Sequence, residues 1–124
     1  MSLLCKKVKK EFHELVNYQM SESRAYFDRT QNEVEICEDI SFAEDQTLND
    51  NIVFFPTDEE LYPYHEAMFD FLNEYGINIP QGERAKPYLR ENGLLFNFYI
   101  YRESEMKRRL LMWLNENDIQ LEII

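Results

Sequence analysis

An α+β fold is predicted for this 124-residue chain by three features: an amphipathic stripe near the start, short β-type runs in the middle, and stripes of large apolar residues at helical spacing in the second half. They imply an N-terminal amphipathic helix, a small antiparallel β-sheet including a hairpin, and C-terminal helices, arranged as a single layer of helices on the sheet. The length suits a single domain, 1–124. Three glycines and four prolines leave little material for linkers, and no internal repeat or low-complexity segment is present.

Cys5, Val8, Phe12, Leu15 and Val16 fall on one face of a helical wheel and Lys6, Lys7, Lys9, Lys10, Glu11 and Glu14 on the other, which predicts a helix from about Leu4 to Gln19. Ala25-Tyr26-Phe27 and Val34-Glu35-Ile36-Cys37 then read as a hairpin, with Asn32 tolerating the positive φ of its turn. Alternation points Val34 and Ile36 at the core and makes Cys37 the more exposed thiol. Phe42 and Leu48 are expected to pin a surface loop. Ile52-Val53-Phe54-Phe55, wholly apolar, reads as a short strand buried on both faces and ended by Pro56.

Thr57 and Glu60 have the spacing of a capping box, and Pro63 suits the first position of a main helix. Tyr64, Ala67, Met68, Phe71, Leu72 and Tyr75 make its buried stripe, widened by Phe69, and Gly76 stops it in a left-handed conformation. A short helix is expected within Glu83–Asn92, ended by Gly93. Leu94–Tyr101 has strand propensity, yet Phe98, Tyr101, Met106, Leu110, Trp113 and Leu114 also share one helical face, with Asn97 as a cap; on either reading a helix reaches about Glu116. Asn117 is the expected left-handed residue after it, and Ile119, Leu121 and Ile123 alternate as a final strand. Leu72 and Trp113, mid-stripe, are expected as core anchors.

Charge is distributed unevenly. Of a net −11, the whole imbalance lies between Arg29 and Arg84, where fourteen carboxylates occur without one Lys or Arg. Such a field repels phosphate backbones and anionic lipid and attracts cations, so neither a nucleic-acid nor a membrane partner is expected. No apolar segment follows the basic start and no window reaches the length of a membrane span, which predicts a cytoplasmic protein. In that compartment Cys5 and Cys37 are expected to stay reduced.

Little catalytic chemistry is written in the chain. His13-Glu14 and His65-Glu66 invite an acid-base or metal reading, but no ligand spacing surrounds them, so no metal site is predicted. The three glycines are isolated, which removes a phosphate cradle, and no nucleophile motif surrounds Ser21 or Ser23. Neither catalytic residues nor a cofactor is expected, and the chain reads as a non-enzyme.

Three segments resemble a bacterial family catalogued as uncharacterised protein family 0158: Tyr26-Phe27-Asp28 through Glu33-Val34, the proline-ended strand leading to Tyr64, Met68 and Asp70-Phe71, and Phe98-Tyr99 with Tyr101-Arg102-Glu103 through Trp113-Leu114 to Glu116-Asn117. The resemblance implies a helix over residues 97–116 and carries no activity. The chain departs from the family pattern at Leu94 and Leu95, where a basic Gly-and-Arg-rich stretch is usual, and at Asp118, where glycine is usual.

Two functions fit these observations. One is a small acidic interaction protein meeting a basic protein partner through the middle block, with Glu33, Glu35, Glu59 and Glu60 as partner-binding residues. The other is a small-molecule or peptide binder using exposed aromatics such as Tyr62, Tyr99 and Tyr101. Oligomeric state is left open by the sequence.

Overall fold

The computed structural model describes residues 8–18, 23–38 and 50–124. In chain order the elements are β1 (Val8–Lys10), α1 (Phe12–Leu15), β2 (Arg24–Asp28), β3 (Glu33–Cys37), β4 (Ile52–Phe54), α2 (Asp58–Leu61), α3 (Tyr64–Glu74), α4 (Ala85–Glu91), α5 (Leu95–Glu116) and β5 (Leu121–Ile123). The fold is α+β, as the sequence predicts. A three-stranded antiparallel sheet of order β3-β2-β4 is accompanied by a two-stranded parallel sheet of β1 and β5.

The hairpin is nucleated locally. The Asp28 carboxylate accepts from the N–H groups of Thr30 at 2.9 Å and Gln31 at 3.3 Å, and Asn32 takes φ 56°. β2 then pairs with β3 so that Ala25 faces Ile36 and Phe27 faces Val34. Those four share the face that meets the helices, but only Ala25 and Phe27 are buried, and Ile36 is 60% exposed. Cys37, on the opposite face, is buried, which reverses the exposed thiol expected from alternation. Alternation assigns a side chain to a face of the sheet; depth depends on how far the packing partner extends along the strand.

β4 is an edge strand and is half-buried, where the sequence predicts burial on both faces. Its residues are apolar throughout because each face has its own partner: Val53 packs on the core, and the Phe54 ring lies 5.5 Å from Tyr26 on the other side. Beyond it the Thr57 hydroxyl accepts from the Glu60 N–H at 3.0 Å and the Glu60 carboxylate accepts from the Thr57 N–H at 3.3 Å, completing the expected capping box. Gly76 at φ 62° ends α3, and the Ile77 N–H closes back on the Leu72 carbonyl at 2.9 Å.

The N-terminal helix is not continuous. Among its described residues Val8–Lys10 is a strand in parallel register with Leu121–Ile123, α1 is one turn, and Asn17 bridges to Thr57; residues 4–7 and Gln19 lie outside the described residues. Tertiary hydrogen bonds outweigh helix propensity here. The Asn17 amide donates to the carbonyls of Ala25 at 3.1 Å and Phe55 at 2.8 Å, and its oxygen accepts from the Ala25 N–H at 2.6 Å. Its own N–H donates to the Pro56 carbonyl at 3.1 Å, and its carbonyl accepts from Asp58 at 3.3 Å. Asn17 is the polar residue buried among the described residues, and every polar group it has is used. The stripe of Phe12, Leu15 and Val16 still reaches the core as predicted.

Residues 95–101 are helical, α5 beginning after Leu94, and Asn97 does not cap it; Asp118 at φ 55°, one residue later than expected, is the left-handed residue that follows. One hydrophobic cluster runs from Phe12 to Leu121 and includes Met106, Leu110 and Leu114 of α5, with Phe71 and Phe98 meeting at the α3–α5 contact. Leu72 and Trp113 are half-buried at its margin, not at its centre, and Phe69 is exposed. The expected Phe42–Leu48 anchors lie outside the described residues.

Candidate functional site

Two arginines of α5 organise the polar contacts at the α2–α3 corner. Arg102, with a side chain 12% exposed, donates through Nε and a terminal nitrogen to the Tyr62 carbonyl at 3.1 and 2.9 Å, and lies 3.4 Å from Asp58 and 3.3 Å from Glu59. Two turns later Arg109 donates to the Leu61 carbonyl at 2.8 Å and to Glu105 at 3.1 Å, and its guanidinium sits 4.2 Å over the Tyr62 ring. Together they fasten the α2–α3 corner to α5, satisfying carbonyls at the end of a four-residue helix. Hydrogen bonds from Arg108, then from Arg109, hold Glu105 below the usual carboxylate range against the opposing effect of burial.

These contacts alter the reading of the acidic block. Cations absent from it in sequence are supplied in space by α5, and Asp58, Glu59 and Glu66 are all paired with arginine. Of the four carboxylates expected to bind a partner, Glu60 caps α2 and Glu59 accepts from the Tyr64 N–H at 2.6 Å besides facing Arg102. Glu33 and Glu35 stand on β3, the opposite edge strand from β4, and make no ion pair among the described residues. The fold therefore separates the four into a hairpin pair and a helix pair. Asp39, Glu44 and Asp45 lie outside the described residues.

The aromatics are also redistributed. Tyr62 is buried, Tyr101 half-buried and Tyr99 41% exposed, so the three expected together do not form one surface. Tyr62 donates to Asp70 at 2.5 Å, and burial first, then that bond and one to Tyr101, raise its phenol above the usual range. Tyr101 is raised by burial and by its bond to Glu74. This tyrosine–carboxylate cluster lines a concavity of about 580 Å³ with Ser104, Glu105 and Arg109. Adjoining it through Tyr75 and Ile100 is an apolar groove of about 560 Å³, lined further by Phe71, Ile77, Leu94 and Phe96. Sequence reasoning placed Tyr75 inside; it is 61% exposed because it follows the last turn of α3.

His13 gains a partner that spacing could not reveal. Its Nδ1 lies 2.9 Å from the Tyr18 hydroxyl and its Nε2 3.4 Å from Glu103, itself 3.6 Å from Lys107. Carboxylate, imidazole and phenol thus stand in the order of a proton relay. Burial and the nearby carboxylates raise the Tyr18 phenol, which disfavours it as a nucleophile, and the contact serves to tie the segment after α1 to α5. Among the described residues no group of three or more His, Cys, Asp or Glu side chains could hold a metal ion, and no helix is long and apolar enough to cross a membrane. Compared with protein-family models, curated proteins and solved structures, the chain matches none.

Proposed function

We propose that this chain is a small acidic interaction protein that binds a basic surface of a protein partner. The observation that carries the reading is the fate of the cations. Arg102, Lys107, Arg108 and Arg109 are each paired with a carboxylate of this chain, and the excess of 24 acidic over 13 basic side chains remains to act on a partner. Glu33 and Glu35, on an edge strand and without ion pairs among the described residues, are the part of the predicted site that remains available to a partner. A cytoplasmic setting and the likeness to the uncharacterised bacterial family belong to the same proposal. The conformation of Asp118, φ 55° where that family has glycine, supports the likeness.

The test is an association rate, measured at low and high salt, for a partner recovered with the tagged chain. The expected rate falls as salt rises, because screening shortens the reach of the field to about 8 Å at physiological ionic strength. Glu33→Gln with Glu35→Gln should slow association at low salt. A rate unmoved by both, or a partner with an acidic contact face, overturns the proposal.

A further inference from the structure

We propose that the groove between the end of α3 and the start of α5 is a docking site for the apolar face of a basic amphipathic helix from another protein. The inference rests on the acidic-interaction reading for the charge of the partner and adds the surface and the shape of what binds. Tyr75, Phe96 and Ile100 stand at its lip, exposed by 61%, 71% and 50%. Apolar side chains scattered singly over a surface need no explanation; several converging on one concavity mark a contact site.

The groove is preformed. Its floor is the buried Phe71 with half-buried Ile77 and Leu94. Ile77 and Leu94 are held by parallel devices: each follows a glycine of positive φ, Gly76 at 62° and Gly93 at 70°, and each N–H returns to a carbonyl of the preceding helix, at 2.9 and 2.8 Å. Two fixed helix ends therefore define a volume within the range of binding clefts, so little ordering cost attaches to filling it.

Charge selects the occupant. Through Tyr75 and Ile100 the groove opens into the concavity lined by Asp70, Glu74, Glu105 and Arg109. Arg109 is committed to Glu105, the Leu61 carbonyl and the Tyr62 ring, and among the described residues Asp70 and Glu74 make no ion pair, Asp70 being oriented by the Tyr62 phenol. An apolar body lying in the groove would carry a Lys or Arg into this end. A second copy of the chain would bring another net −11 to the contact.

The experiment uses the intact chain and a dye-labelled model helix with leucines on one face and lysines on the other, read by fluorescence anisotropy, beside the same helix with glutamate for lysine. Saturable binding of the Leu/Lys helix and none of the Leu/Glu helix is expected. Phe96→Ser with Ile100→Ser, both at exposed positions, should weaken binding by about tenfold or more. Glu74→Gln should weaken it by about threefold and flatten its salt dependence. Circular dichroism confirms that each variant is folded. Equal binding of the two helices, no binding of the Leu/Lys helix, or full affinity in the Phe96/Ile100 variant overturns the groove. Should that variant keep its affinity while Glu33→Gln with Glu35→Gln loses it, the acidic reading stands with the hairpin as its site. Loss in neither, with no effect of salt, removes both.

Discussion

Replacing Asn17 by alanine should be among the most damaging single changes this fold can suffer. The substitution keeps both backbone bonds of residue 17 and deletes the three made by its side chain, at 2.6, 2.8 and 3.1 Å. Two buried groups then lose their partner: the Ala25 N–H and the Phe55 carbonyl. The Ala25 carbonyl does not, since it still accepts from the Phe55 N–H at 3.1 Å. Each orphaned group costs about 1–3 kcal/mol, so the loss should be about 2–6 kcal/mol from a total stability of about 5–15 kcal/mol typical of such domains. Asn17→Asp should fare no better, because a carboxylate accepts from Ala25 but cannot donate to two carbonyls and brings a buried charge. Equilibrium urea unfolding measures this: the midpoint should fall with an unchanged slope. A loss below about 1 kcal/mol, with the Ala25 amide still protected from hydrogen exchange, would show that Asn17 fills space without knitting the segment after α1 to β2 and β4.

Other perturbations test other joints. Arg102→Met should destabilise by about 3 kcal/mol, because the Tyr62 carbonyl loses two donors and Glu59 and Asp58 lose this guanidinium, and a melt unaffected by the change would show that the α2–α3 corner does not depend on it. Tyr18, Tyr62, Tyr64 and Tyr101 all have phenols raised by burial. The unfolded chain thus ionises first, and their contribution is full below about pH 10 and drains away as pH climbs towards the raised native values; phenolate absorbance and circular dichroism should change together in an alkaline titration. Glu105 is lowered, so its contribution is present above the ordinary carboxylate pKa and lost as pH falls through the depressed native value. Glu105→Gln should cost about 1 kcal/mol or less at neutral pH, and the difference from the parent chain should vanish in acid. Phe98→Ala, at the fully buried centre of the α3–α5 contact, should cost about 3–5 kcal/mol, more than Leu72→Ala at its margin, and the reverse order of melting temperatures would refute the placement of the core.

What could be read from the sequence was what neighbouring residues decide among themselves. The Thr57–Glu60 box, the positive φ of Asn32, Gly76 and Gly93, and the stripe of α5 each depend on a handful of adjacent positions. What could not be read has partners far away. The stripe from Val8 to Val16 carries no mark of the strand at the far end of the chain that draws its first residues out of a helix. Asn17 looks like any surface amide until Ala25 and Phe55 close on it, and the charge of the middle block is tempered by arginines some forty residues downstream. The groove was half legible: its residues are conspicuous, but burial of Tyr75 was inferred from periodicity, and periodicity does not say where the neighbouring helix begins.

The parallel pairing of β1 with β5 also sets how the chain bears load. A pull that draws the segment before Val8 away from the segment after Ile123 runs along both strands, in opposite directions, from opposite ends of the ribbon. The slanted, evenly spaced bonds of a parallel pair are then loaded side by side and give way as a group, where a hairpin pulled from its open end unzips one rung at a time. Resistance to stretching in this molecule therefore resides in a clasp of three residue pairs, Val8 to Leu121, Lys9 to Glu122 and Lys10 to Ile123, with the helices behind it untouched until it slips.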